Sequence, residues 1–376
     1  MTNIFREDSF DNNNEKLIYK LVKNAINDGY EVDLYCVSYQ HSSHNPELKF
    51  NKKVVFGGAS DCREPKKLEA LFDAYKNMIG TEKYDQVIST GYTPPLDVAI
   101  LFEHSLKHRF LSGNIAAKAA YAIKNSKRQK YQQKWIINGY NKMFVPSNTL
   151  KWEISENFNI PEKKFFVLYP AVDIPENITG IDIESIKSGT KPFTFGLLAN
   201  NFEKEGGVVF LKALKLLKKQ EKRFKAVIVC PKSKNNLVLK SFLLANGLNK
   251  YVEVVSDIDN KEDFYTSVDS VVMTSGIEPF GITALEAMAY QRVPIINSND
   301  GASEIIKDGV EGFIYNAKQQ AVKNLANAMV YVIDHPEDVE GISKNALKLA
   351  KTFTWERVYN DFISNLPCNR KDDFLY

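Results

Sequence analysis

At 376 residues the chain is too long for one ordinary hydrophobic core and suits two domains, and a formal net charge of +3 gives no argument for nucleic acid. Hydrophobic residues at 44% and charged residues at 25% match the globular average, which excludes disorder as the default. Cys36, Cys62, Cys230 and Cys368 lie far apart with no CxxC pair, which argues against a zinc or disulfide framework and suits a reducing cytosol.

Arg6, Glu7 and Asp8 interrupt any apolar run after Met1, so no secretory leader is expected. No segment approaches the ~20 apolar residues of a membrane span. The expectation is a cytoplasmic protein, at most peripheral on the inner face of the membrane.

Strands and helices alternate, the signature of parallel sheets covered by helices. A weak strand near Ile4 and Phe5 precedes the loop Asp11-Asn-Asn-Asn14. Leu17, Ile18, Leu21, Val22, Ala25 and Ile26 recur at helical spacing within Glu15 to Asn27, and Gly29 is placed to stop that helix. Strands are predicted at Glu31 to Tyr39, Gln86 to Ser89, Val98 to Phe102, Lys142 to Val145 and Phe165 to Leu168. Pro175, Gly180, Gly189 and Pro192 break the rhythm, so 175–192 reads as a linker between domains 1–174 and 193–354.

The second half restarts with strand Phe193 to Leu198 and helix Val208 to Lys219. Strand Ala226 to Cys230, helix Lys234 to Asn246 and strand Val252 to Val255 follow, then helix Glu262 to Val268 and strand Ser270 to Thr274. After the helix holding Glu286 come strand Val293 to Asn297 and helical segments to about Ala350. Trp355 to Leu366 is a last amphipathic helix within 355–376. Two sequential βα domains predict a cleft at the carboxyl ends of both sheets.

The informative segment runs Ser275-Gly-Ile-Glu-Pro-Phe-Gly-Ile-Thr-Ala-Leu-Glu286. It is a loop between an apolar strand and a helix, so unpaired N–H groups at the helix start suit a diphosphate, and Gly281 permits close backbone approach. Glu278 in the loop and Glu286 just over one turn inside the helix offer acceptors to two sets of hydroxyls, such as a sugar and a ribose.

The stretch Glu278-Pro-Phe-Gly-Ile-Thr-Ala-Leu-Glu286-Ala-Met-Ala resembles the signature of the retaining GT-B glycosyltransferases of family 4. Around it, Asp263 to Ser275, Val293 to Glu304 and Asp308 to Ile314 resemble the family's flanking elements. Ile160 to Asp173 resembles the end of its first domain, and Phe353 to Val358 its closing helix. The resemblance implies an α/β GT-B fold, two Rossmann-like domains facing a central cleft, with the C-terminal helix crossing back to the first. It implies a hexosyltransferase that moves a sugar from a nucleoside diphosphate, UDP favoured, to a hydroxyl acceptor in polysaccharide, lipopolysaccharide or glycolipid assembly, without metal or cofactor. It also implies that Glu286 binds ribose and Glu278 faces the donor sugar. The N–H groups of Phe280, Gly281, Ile282 and Thr283 would hold sugar hydroxyls and diphosphate, and Val254 to Ile258, including Ser256 and Ile258, would lie beside the base.

Departures from the family pattern set further expectations. Its usual basic pair falls on Leu198-Ala-Asn-Asn-Phe-Glu-Lys-Glu-Gly-Gly207, with Asn200 where arginine is usual and Glu205 nearest the usual lysine. Lys204, one residue away, is the substitute on the strength of its flexible ammonium. Asn12 and Asn13 replace a Gly-Gly loop, since asparagine tolerates positive φ. His104 stands where relatives carry a sugar-facing histidine, with Glu103 its rival. His41 and His108 lack such context. Asp257-Ile-Asp259 has a metal-binding spacing in the wrong place and is not read as a metal site.

From Lys107 to Trp135 eight basic residues run without an acid and with Phe110, Tyr121, Tyr131 and Trp135 interleaved, a composition that suits an anionic membrane surface. No motif supports nucleic acid. Two rival readings stay open: a GT-B binding subunit for a partner transferase, motivated by the missing basic pair, and a nucleotide-sugar epimerase or hydrolase on the same fold.

Overall fold

The computed structural model describes residues 2–7, 13–41, 48–55, 73, 77, 84–91, 97–102, 140–220, 222–231, 236–256, 258, 260–276 and 278–367. The chain divides into two compact units, one formed by 1–171 with 355–376 and the other by 172–354.

In the first unit β1 (Thr2–Arg6), β2 (Asp33–Gln40) and β3 (Lys52–Val55) form one parallel sheet in that order. Strands β4 (Ile88–Thr90), β5 (Val98–Ile100), β6 (Lys142–Val145) and β7 (Phe165–Val167) form a second, also parallel. β1 runs beside β4. Helix α1 (Asn13–Asn27) buries Leu17 and Leu21, one turn apart, with Val98, Ile100 and Phe144. Gly29 ends it in the left-handed region at φ 88°, as Tyr30 N–H returns to the Ala25 carbonyl.

Strand β3 and helix α2 (Asn148–Phe158) lie outside the sequence expectation. The signal for α2 was local: Ser147 Oγ accepts from the Leu150 N–H at 3.0 Å and caps it. The last helix among the described residues, Trp355–Ser364, belongs to this unit. Its Val358, Tyr359 and Phe362 enter the cluster around Leu17 and Phe144, and Tyr359 Oη donates to Asp28 at 2.7 Å.

In the second unit six parallel strands stand in the order β10-β9-β8-β11-β12-β13. They are β8 (Phe193–Leu198), β9 (Phe224–Val229), β10 (Val252–Val255), β11 (Ser270–Val272), β12 (Val293–Asn297) and β13 (Phe313–Tyr315). Helix α3 (Ile183–Lys187) precedes the sheet, followed in chain order by α4 (Gly207–Lys219), α5 (Leu237–Ala245), α6 (Lys261–Ser267), α7 (Ile282–Ala289), α8 (Ala321–Asp334) and α9 (Pro336–Ala350), with the Trp355–Ser364 helix as α10. Phe193, Phe195 and Leu197 of β8 pack with α4 and α8 on one face. Phe264 and Ala287 of α6 and α7 pack with Val229 and Val271 on the other. Burial on both faces explains the apolar runs of the central strands β8, β11 and β12.

The segment expected as a linker is instead built into this unit. Asp182 caps the start of α3 by accepting from the Ser185 N–H at 3.1 Å, and Ile183 enters the core. Arg292 Nη2 holds the Thr179 carbonyl at 2.9 Å, and Lys191 pairs with buried Asp269 at 2.7 Å. Its polar composition concealed these anchors.

Candidate functional site

The strand order places the topological switch of the second unit between β8 and β11, because the chain builds outward one way through β9 and β10 and then the other through β12 and β13. Open α/β sheets bind ligands beyond the carboxyl ends of the two strands at such a point. The loops there are 199–206 after β8 and 273–281 after β11. They touch: Thr274 Oγ1 donates to the Glu205 carbonyl at 2.8 Å, and a Cβ on Gly206 would stand 2.1 Å from the Thr274 carbonyl oxygen.

Loop 199–206 is folded by its own acid. The Glu205 carboxylate accepts from the Asn200 and Asn201 N–H groups at 3.1 and 3.0 Å, and Lys204 N–H donates to Asn201 Oδ1. Phe202 is buried beneath the turn. Burial pushes the Glu205 carboxyl above its ordinary range, and the negative charge of Glu278 adds to the rise, so the two carboxylates sense one another. Asn200 and Lys204 are exposed.

Loop 273–281 is clamped against the turn after β12. Gly301 N–H donates to the Glu278 carbonyl at 3.2 Å, and Asn297 Nδ2 donates to the Ser275 carbonyl. Gly281 sits at φ 73°, a left-handed conformation that favours glycine, and forms the N-cap of α7 without a side-chain cap. Asp300 lies against it, fully buried. Its Oδ1 accepts from the Ala302 N–H at 2.9 Å, while Oδ2 has no hydrogen-bond partner among the described residues. Desolvation drives this carboxyl well above its usual range, and the Glu278 charge adds to the effect. Phe280 points its ring inward, so only its backbone is available to a ligand.

Glu286 lies in the second turn of α7 and is nearly buried. Its Oε2 accepts from Tyr265 Oη at 2.6 Å and its Oε1 from Lys261 Nζ at 2.7 Å, both donors on α6. The Tyr265 ring stacks on Tyr290 at 4.9 Å. The bare start of α7 thus has an acid on either side of it, an arrangement suited to a ligand with a diphosphate between two hydroxyl-bearing groups.

Comparison with known proteins decides the family. The family described as "Glycosyltransferase Family 4" matches residues 15–176, and "Glycosyl transferases group 1" matches 180–349. The chain belongs to this glycosyltransferase family. An uncharacterized glycosyltransferase of Methanocaldococcus jannaschii is 22% identical over 341 residues, 89% of this chain and 90% of the relative. Among solved structures, WaaG, a glycosyltransferase involved in lipopolysaccharide biosynthesis, superposes with TM-score 0.74 at 14% identity, covering 97% of this chain and 99% of WaaG. Anabaena HepE in complex with UDP-glucose superposes with TM-score 0.68 at 16% identity, covering 97% and 99%. The fold is therefore GT-B, and the chain is a GT-B member of a nucleotide-sugar glycosyltransferase family.

In this glycosyltransferase the second unit brings together Glu278, Phe280, Gly281, Ile282 and Thr283, with Asn200 and Lys204 on the neighbouring loop and Glu286 inside α7. Ser256 and Ile258 follow β10, two strands from the switch, and Ile258 packs on the cluster around Phe264 and Tyr265. Asn13 is the first residue of α1 in the other unit. Asn12, Glu103, His104, the Asp257 and Asp259 pair and the basic stretch 107–135 lie outside the described residues. Among the described residues no helix is long and apolar enough to cross a membrane.

Sequence reasoning missed Lys261, Tyr265, Asp300 and Asn297. Asn260 capping α6 was the available signal for Lys261, since its Oδ1 accepts from the Glu262 N–H at 3.0 Å and puts Lys261 at the helix start. His41, set aside for want of context, has a partner: its Nδ1 lies 2.6 Å from a carboxylate oxygen of buried Glu7, which also accepts from Tyr39 Oη.

Proposed function

We propose that this glycosyltransferase moves a hexose from a nucleoside diphosphate, UDP favoured, to a hydroxyl acceptor with retention of configuration. The observation that carries the reading is the uncapped N-terminus of α7 at the sheet's switch point, with Glu278 before it and Glu286 inside it. The N–H groups of Phe280, Gly281, Ile282 and Thr283 hold sugar hydroxyls and diphosphate. Glu286 accepts from the ribose hydroxyls, Glu278 from the sugar, and Ser256 and Ile258 flank the base.

As the bond from the anomeric carbon to the phosphate oxygen breaks, its electron pair passes to the phosphate. The acceptor oxygen bonds to the anomeric carbon on the same face and its proton goes to that phosphate, so no protein base is required. Charge growing on the leaving group gains most from dipoles already aimed at it, which the α7 N–H groups supply, with Lys204 and Asn200 alongside. The acceptor falls to the first unit, through Asn12, Asn13 and Glu103, while His104 faces the hydroxyls of the donor sugar. The UDP-glucose bound by HepE supports the donor, and the role of WaaG in lipopolysaccharide biosynthesis supports a surface glycan or glycolipid acceptor.

The test is incubation of the purified chain with UDP-, GDP- and ADP-sugars, following the product anomer by NMR. An α donor giving an α product is expected, and a β product overturns retention. One observation favours a second reading: Glu205, an acid, holds the loop where the family carries a basic pair. Nucleotide binding without turnover of any donor would make the chain a binding subunit.

A further inference from the structure

We infer that Lys261 occupies the ribose position on Glu286 in the ligand-free protein and is displaced when a nucleotide binds. The inference rests on the proposed role of Glu286 and adds a residue that the family resemblance does not assign.

The two oxygens of Glu286 differ in access. Oε2 accepts from Tyr265 Oη at 2.6 Å, and Tyr265 is fully buried, so no ligand reaches that bond. Oε1 accepts from Lys261 Nζ at 2.7 Å, and the Lys261 side chain is 53% exposed against 11% for Glu286. The oxygen that a ribose can approach from solvent is therefore the one the ammonium holds. Tyr265, backed by the Tyr290 ring, keeps the carboxylate from turning away.

An ammonium and a vicinal diol compete for such an oxygen because each brings the N–H or O–H donors that a carboxylate needs. The contest is winnable because an ion pair with one exposed member contributes little. Asn260 fixes the backbone of Lys261 at the start of α6, so only the flexible stem moves when the ammonium leaves. The ligand class follows: a ribose bearing free 2′ and 3′ hydroxyls.

Titration calorimetry with uridine and UDP tests the inference on wild type, Lys261→Met and Lys261→Arg. Removing the occupant is expected to tighten uridine binding about two- to fivefold, the scale of an exposed pair. Lys261→Arg keeps the pair and binds as wild type. In a Glu286→Gln background the Lys261→Met change loses its effect, because the lysine acts only through that carboxylate. Uridine binding unchanged or weakened by Lys261→Met overturns the inference. UDP weakened with uridine unchanged also overturns it and makes Lys261 a phosphate ligand. Wild type that binds neither probe overturns instead the nucleotide reading beneath it. A crystal structure with UDP bound gives a second measurement independent of any variant: Lys261 Nζ is expected to have left Glu286 Oε1, and an intact pair contradicts displacement.

Discussion

Gly281 and Asp300 are interlocked so tightly that a side-chain carbon on Gly281 would stand 2.3 Å from Asp300 Oδ1. The contact joins the turn after β12 to the residue that starts α7, and a second glycine completes the lock. A Cβ on Gly301 would stand 2.2 Å from the Pro279 carbonyl oxygen. The loop that presents N–H groups at the switch point is thus held by backbone packed on backbone at Gly301 and by the buried Asp300 carboxyl at Gly281.

Gly281→Ala therefore meets two penalties, a left-handed backbone and a buried carboxyl that has nowhere to go. The left-handed region costs an L-residue about 1–2 kcal/mol and overpacking about 1–3 kcal/mol. A loss of about 2–5 kcal/mol in denaturant unfolding is expected, with nucleotide binding lost as the loop shifts. A variant as stable as wild type would show that the lock is loose.

Asp300→Asn is expected to change the pH dependence of stability. The folded-state carboxyl titrates above its unfolded value, because burial and the Glu278 charge both disfavour ionisation. Between the ordinary carboxylate value of about 4 and the raised one, the folded state holds the extra proton. Stability from this group is therefore fully present below about pH 4 and falls as pH rises through the window, by up to about 1.4 kcal/mol per pH unit. Urea unfolding of Asp300→Asn from acidic to neutral pH should lack that slope, and an unchanged slope would assign it to another group.

Glu205 and Lys204 are neighbours with opposite expectations. Glu205→Ala leaves the Asn200 and Asn201 N–H groups without their acceptor and should cost about 1–3 kcal/mol of stability. Lys204→Ala, at an exposed position, should leave stability within about 0.5 kcal/mol and lower kcat by about tenfold or more if its charge meets the leaving phosphate. Melting curves and turnover rates measured on both variants separate the two roles. An unchanged kcat for Lys204→Ala would remove it from the reaction.

Phe362→Ala tests how firmly the C-terminal helix is held in the first unit. Its ring lies 4.8 Å from that of Phe144 within the cluster of Leu17, Val98 and Ile100. Deleting a buried Phe side chain typically costs about 3–5 kcal/mol, so a clear drop in melting temperature is expected. A shift within error would mean that α10 contributes little to that core.

Much of the second unit was legible in the sequence because its central strands are buried on both faces and read as apolar runs. Phe193 to Leu198 and Val293 to Asn297 were placed to the residue for this reason. The first unit was harder: β3 alternates half-buried and exposed residues over four positions, too few to register as a period. Glu278 and Glu286 were singled out through family resemblance, but the settings of the acids here were not legible. That Glu286 is shared by Tyr265 and Lys261, that Glu205 turns back to its own loop, and that Asp300 is buried beside Gly281 are facts of tertiary packing. Residues 21 to 25 positions apart meet on Glu286 with no local pattern to announce them.

The central claim is that the α7 start and Glu286 together hold a nucleoside diphosphate. Titration calorimetry of UDP into wild type and Glu286→Ala tests it most directly. Wild type is expected to bind with one site per chain, and Glu286→Ala about ten- to a hundredfold more weakly, as hydrogen bonds to a charged group are lost. Equal affinity in the two proteins would contradict the account.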